Sequence, residues 1–234
     1  WNAHVRSFGL GGFLGSDLPT GRAGKVPNTA LYDKVYGANR WSGTTNISNA
    51  IGQGEILTTP IQLANVMAAI ANKGYFYTPH IVKQIDNKQT PFKEYTVPKH
   101  TTIDPKHFEP VIKGMNMAYL AGTARRTQID GINIAAKTGT AENFIRVNGK
   151  RMQLTDHSIF VAFAPVEDPK IAIAVFVENG YYGARVAGPI ASLMIEKYLK
   201  GEVFRCDLER QMLEKSLEHE YLKPYSGQKF YINQ

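Results

Sequence analysis

The chain has 234 residues, 43% hydrophobic and 20% charged, with a formal net charge of +7. That composition excludes a disordered polymer, and the single cysteine, Cys206, excludes an internal disulfide framework or a Cys-rich metal site. The positive charge favours anionic surroundings. Arg125-Arg126 and Lys150-Arg151 are the only adjacent basic pairs, however, so charge alone builds no nucleic-acid interface.

The length allows one large domain or two small ones. No apolar run reaches the roughly 18 residues of a membrane-spanning helix. The chain opens on Trp1-Asn2-Ala3-His4, in mid-element and without a signal-peptide pattern, which predicts a piece of a longer protein.

Trp1 to Phe8 reads as the last turns of a helix, closed by Gly9. A glycine-rich segment follows, and then a weakly patterned stretch through Tyr32 and Trp41 to Asn46. Thr59, Pro60 and Gln62 form a capping-box signature that opens a helix running to about Asn72, with Ile61, Ala64, Met67 and Ala68 on one face. Tyr75 to Val82 looks extended. Asp104-Pro105 opens a second helix, in which Phe108, Val111, Ile112, Met115 and Tyr119 recur at helical spacing.

Ile132 to Glu142 is a predicted strand. Asn148-Gly149 predicts a type I′ hairpin within Phe144 to Leu154. Ser158 to Ala164 and Lys170 to Glu178 are apolar runs that form a second hairpin. Their continuity predicts a sheet covered on both faces. One cover is the helix from Pro189 to Leu199, through Ile190, Leu193, Met194 and Tyr198. Asp207 to Tyr221 reads as a charged surface helix, and a tail follows.

The informative string is Lys137-Thr138-Gly139-Thr140, on the Ile132–Glu142 strand. A cation, two hydroxyls and a glycine after apolar residues describe a strand edge built to hold a carboxylate. Lys137 supplies an ammonium, Thr138 and Thr140 supply hydroxyls, and Gly139 lets a ligand backbone approach closely. Glu142 is near enough in sequence to meet a substrate amine. The six histidines (His4, His80, His100, His107, His157 and His219) have no i, i+4 pairing with a carboxylate-rich partner, so no metal site and no cofactor is expected. Gly52 and Gly54 serve backbone geometry rather than phosphate binding.

Several segments occur in a fixed order: Phe8-Gly9-Leu10-Gly11, Gly15-Ser16-Asp17-Leu18-Pro19, Ile51-Gly52-Gln53-Gly54-Glu55, Thr59-Pro60-Ile61-Gln62-Leu63-Ala64, Lys137-Thr138-Gly139-Thr140-Ala141 and Phe163-Ala164-Pro165. This series resembles the C-terminal part of the transpeptidase domain of class B penicillin-binding proteins. With Val177-Glu178-Asn179-Gly180 it is most similar to the elongation-type penicillin-binding protein 2 group. The resemblance covers residues 1–201 and leaves 202–234 as a C-terminal helix and tail.

The resemblance implies an α+β fold, an antiparallel sheet flanked by helices as in serine β-lactamases and penicillin-binding transpeptidases, incomplete at its N-terminus. It implies serine acyl transfer on D-Ala-D-Ala stem peptides of peptidoglycan, inhibited by β-lactams. Lys137, Thr138, Gly139 and Thr140 would bind substrate, with Lys137 and the Thr140 N–H (one half of an oxyanion hole) as catalytic groups. It also implies elongation-machinery membrane proteins as partners, and the extracytoplasmic face of the bacterial inner membrane with an anchor upstream.

K-T-G belongs to a motif set with S-x-x-K and S-D-N, and neither precedes Lys137. The one S-x-x-K is Ser226-Gly227-Gln228-Lys229, in the tail, so no nucleophile is expected in this chain. Two other readings stay open: a β-lactam sensor or class D β-lactamase-like domain, and a non-catalytic peptide- or glycan-binding module.

Overall fold

The computed structural model describes residues 1–18, 20–86, 88–89 and 92–222, the side chains of 88 and 89 excepted. It divides into two compact units, Trp1–Glu109 and Pro110 onward.

In the first unit, α1 (Asn2–Ser7) ends as predicted, with Gly9 following at φ +88°. Two helices, α2 (Thr29–Tyr36) and α3 (Thr44–Ala50), occupy the stretch in which no pattern was legible. A local signal for α2 was present in Asn28, whose side chain accepts the Leu31 N–H at 2.9 Å as an N-cap. The periodicity fails because Val35, Tyr36 and Ile47 are exposed and mark no buried stripe.

Helix α4 (Pro60–Ala71) carries the expected capping box. The Thr59 hydroxyl accepts the Gln62 N–H at 3.3 Å, and the Gln62 side chain accepts the Thr59 N–H at 3.0 Å. Of the predicted face Met67 is buried, but Ile61 is 54% exposed, and Gln62, Asn65 and Ala69 complete the buried side. The reason lies in the glycine-rich segment, whose partly buried carbonyls take their donors from this helix. Gln62 Nε2 donates to the carbonyls of Gly12 and Ala23 at 2.9 Å and Gly9 at 3.4 Å, and Asn65 Nδ2 donates to that of Phe8 at 2.9 Å.

Strand β1 is only Tyr75–Phe76, shorter than the extended run expected, and β2 (Gln84–Ile85) pairs with β3 (Lys88–Gln89). Between β1 and β2 the Asp17 carboxylate accepts the N–H groups of Ile81 at 3.0 Å and Val82 at 2.7 Å, so this backbone is fixed by a side chain rather than a strand. β4 (Lys99–His100) pairs with β1. Asp104 caps a 3-10 turn over Pro105–His107, accepting the Lys106 N–H at 3.0 Å, and α5 (Phe108–Leu120) follows. Phe108, Ile112, Met115 and Tyr119 are buried as expected; Val111 is exposed.

The second unit is built on β5 (Ala135–Ala141). After it come the hairpin β6 (Phe144–Val147) and β7 (Lys150–Gln153), then β8 (His157–Ala164) and β9 (Ile171–Val177). Asn148 and Gly149 turn the β6–β7 hairpin at φ +50° and +75°, the two positive values of a type I′ turn. The sheet runs β5-β8-β9, antiparallel throughout.

Helix α6 (Ala187–Lys200) packs on this sheet through Ala187, Ala191 and Ile195, against Ala136, Phe160, Ala162 and Ile173. Of the face expected for α6, Leu193 is buried but Met194 and Tyr198 are exposed. Small residues four apart let the helix lie close to the large side chains of β8 and β9. The opposite face, with Lys137, Ile159, Val161 and Phe176, is only partly covered; Phe176 is 40% exposed. Two-sided cover therefore does not hold at this end, where β-branched and aromatic residues serve strand pairing as much as burial.

Past Gly201 the expected single helix is two, α7 (Cys206–Leu213) and α8 (Glu218–Tyr221). The break spans 214–217, where the Ser216 hydroxyl accepts the Glu218 N–H at 3.2 Å, a local side-chain bond that competes with the helical ladder. The α+β class expected from the sequence is the one that forms.

Candidate functional site

Strand β5 enters the sheet through the fully buried Ala135 and Ala136 and emerges at Lys137. Lys137 stands opposite Val161, Thr138 opposite Phe160, Gly139 opposite Ile159 and Thr140 opposite Ser158. Among the described residues β5 pairs on one side only, with β8, so its outer edge presents unpaired peptide groups. Such an edge can accept an extended chain as a further strand.

Strand alternation divides the four side chains between two faces, Lys137 with Gly139 and Thr138 with Thr140. The Lys137 side chain is exposed and its ammonium donates to the Thr138 carbonyl at 2.7 Å. The Thr138 hydroxyl meets that of Thr123 at 2.7 Å. Thr140 is exposed. At Gly139 an added Cβ would stand 3.3 Å from the Ile159 Cβ, so the glycine also relieves crowding on β8.

One element of this site had no sequence reading beyond a resemblance. The connection from β9 to α6 passes directly over Gly139. A Cβ on Gly183 would lie 2.3 Å from the Ile159 carbonyl oxygen and within 2.9 Å of the Gly139 backbone, so only glycine fits there. Ser158, buried, ties the connection down: its hydroxyl donates to the Tyr182 carbonyl at 2.9 Å and accepts the Ala187 N–H at 3.1 Å. The available signal was the spacing of Gly180, Gly183 and Gly188 after an apolar strand.

Glu142 is committed elsewhere, to Arg151 at 2.6 Å, with that guanidinium 4.1 Å from the Phe144 ring centroid. The histidines are dispersed: His4 meets the Thr102 hydroxyl at 2.7 Å, His80 stacks on Tyr95, and His157 accepts the Asn179 N–H at 3.1 Å. Among the described residues no three His, Cys, Asp or Glu side chains are grouped to hold a metal ion. Ser226-Gly227-Gln228-Lys229 lies outside the described residues.

Residues 1–196 match the family model described as the penicillin binding protein transpeptidase domain. The peptidoglycan D,D-transpeptidase MrdA of Acinetobacter baumannii is 34% identical over 202 residues, which are 81% of this chain and 30% of that protein. The crystal structure of Pseudomonas aeruginosa PBP2 in complex with WCK 5153 is similar at TM-score 0.70 and 33% identity, over 86% of this chain and 43% of that one. PBP2 of Helicobacter pylori in its complex with MreC is similar at TM-score 0.64 and 31% identity, over 84% of this chain and 34% of that one. The chain spans less than a third of the length of the A. baumannii relative, 30%.

Proposed function

This chain belongs to the penicillin-binding protein transpeptidase family, and on that premise we propose that it forms part of a peptidoglycan D,D-transpeptidase that cross-links stem peptides through an acyl-serine. The observation that carries the reading is Lys137-Thr138-Gly139-Thr140 on the unpaired outer edge of β5. A D-Ala-D-Ala end lies extended along that edge. Lys137 and the hydroxyls of Thr138 and Thr140 receive its carboxylate, and Gly139 admits its backbone. The Thr140 N–H donates to the scissile carbonyl oxygen as that atom becomes negative. A donor so placed stabilises the transition state by about 3–4 kcal/mol.

A serine oxygen adds to the carbonyl carbon, the bond to the last D-Ala nitrogen breaks, and that amine leaves with a proton. The amine of a second stem peptide then displaces the serine and forms the cross-link. A β-lactam offers the same carboxylate and carbonyl and remains as the acyl-enzyme. No Ser-x-x-Lys precedes Lys137, so these residues alone do not supply the nucleophile and are inactive on this reading. No cofactor is called for.

MreC, in complex with the similar H. pylori PBP2, is the model for the proposed partners, membrane proteins of the elongation machinery. The proposed location is the extracytoplasmic face of the bacterial inner membrane. Among the described residues no helix is long and apolar enough to cross a membrane.

Two incubations with fluorescent penicillin test the reading. The 234 residues alone should show no covalent adduct by intact mass. A polypeptide that joins them to an S-x-x-K serine should be acylated, and Lys137→Ala should slow that step roughly ten- to a hundredfold, the loss of a charge-assisted contact of about 1.5–3 kcal/mol. A stoichiometric adduct on the chain alone, or unchanged acylation in the Lys137 variant, would overturn it.

A further inference from the structure

Tyr181 sits at φ +69°, a left-handed conformation that a bulky residue rarely adopts. Its surroundings hold it there. Its N–H donates to the Asp156 carbonyl at 2.9 Å, and the Arg185 guanidinium lies 3.8 Å from its ring centroid. Its phenol donates to the buried carboxylate of Glu220, which also accepts the Thr155 hydroxyl and lies 3.0 Å from His219 Nε2. Burial, and then the hydrogen bond to Glu220, push the phenol up to about 12, so it stays a donor at physiological pH.

Glu220 lies on α8, beyond residues 1–196 that match the family model. The segment carrying it is anchored a second time at its start. Arg205 Nε meets the buried Glu196 carboxylate at 3.0 Å, and its guanidinium reaches the Gln128 carbonyl and the Ser192 hydroxyl, each at 3.2 Å. Both anchors end on elements around β5. The residue two past Tyr181 is Gly183, whose backbone rests on the Gly139–Ile159 pair.

We infer that Glu220 is a positioning residue for the Lys137–Thr140 strand: by holding Tyr181 left-handed it keeps Gly183 against Gly139, and so fixes the edge that carries Thr140. The C-terminal segment is thereby a working part of the site rather than an appendage. The inference rests on the reading that this edge binds the acylating ligand.

The test uses acylation by fluorescent penicillin in a polypeptide that joins this chain to its serine. Glu220→Ala should slow acylation about tenfold, as small displacements of a binding edge do. Tyr181→Gly in the same background should bring the rate back to within about twofold of the parent, because glycine adopts a positive φ unaided. A stability role unconnected with the Tyr181 conformation would not be rescued in this way.

In the 234-residue chain, hydrogen exchange over residues 136–141 should quicken in Glu220→Ala and slow again in the double variant. An unchanged rate and exchange in Glu220→Ala, or a double variant no better than the single, overturns the inference. Lys137→Ala separates the two readings: slower acylation there with an indifferent Glu220→Ala discards only the positioning role, whereas indifference in both discards the ligand reading itself.

Discussion

The hydroxyls of Thr123 and Thr138 lie 2.7 Å apart, so the second residue of the tetrapeptide already has a partner before any ligand arrives. Thr140, two residues on, is exposed. The two threonines, equivalent in the sequence, are therefore unequal. A hydroxyl donating to a carboxylate contributes about 1.5–3 kcal/mol. Thr140→Val is expected to slow acylation about tenfold or more, and Thr138→Val by no more than about threefold. Stopped-flow acylation rates for the pair, each in a polypeptide that joins these residues to an S-x-x-K serine, check this, and equal effects would contradict it.

Gln62 gives a stability prediction. Its side chain donates to the carbonyls of Gly12 and Ala23 from a position 1% exposed. Gln62→Leu keeps the volume and removes the bonds to the carbonyls of Gly9, Gly12 and Ala23 together with the one accepted from the Thr59 N–H, and each partly buried partner left unpaired costs about 1–3 kcal/mol. The first unit should lose about 2–5 kcal/mol on that basis. Both tryptophans, Trp1 and Trp41, lie in that unit, so urea unfolding followed by Trp fluorescence reports on it. A midpoint unchanged in Gln62→Leu would mean that water satisfies these carbonyls.

The same residue shows what the sequence could and could not reveal. The Thr59–Gln62 capping box was legible because it is local, as was the Asn148-Gly149 hairpin. The other task of Gln62 was not, because its acceptors lie 39 to 53 residues away and glycine carbonyls leave no pattern. Buried polar residues on α4 then displaced Ile61 from the face its hydrophobicity predicted. In the candidate site the residue types of 137–140 pointed to a carboxylate, yet the division of their side chains and the Thr123 contact depend on register and on a distant turn. Tyr181 was invisible, since nothing in a tyrosine announces a positive φ.

Asp17 and Asp104 give a pH dependence. The N–H groups of Val82 and Ile81 hold the Asp17 carboxyl below the ordinary carboxylate range, and the Lys106 N–H does the same for Asp104. A group depressed in the folded state adds stability above its unfolded value, about 4 for aspartate, and that contribution disappears as pH falls through the lower, folded value. Asp17→Asn should therefore unfold more readily than the parent at pH 7, with the difference closing as the pH is lowered. Thermal melts of the two proteins across an acid series check the sign; a gap that widens in acid would contradict it.

The last prediction concerns the other edge of the sheet. Among the described residues β9 pairs only with β8, so Ile171–Val177 carries a row of unpaired peptide groups. Phe176, 40% exposed, adds apolar surface there. Proteins usually protect such an edge with charge, a bulge or a covering element, because it is a template for pairing with another chain. This strand has no charged residue between Ile171 and Val177. The 234-residue chain is therefore expected to self-associate as concentration rises, and Phe176→Lys should shift it toward monomer by placing a charge beside the edge. Size-exclusion chromatography with light scattering decides. A parent chain that stays monomeric at about 100 μM, where an exposed edge would pair, would mean that β9 is protected by something other than a neighbouring strand.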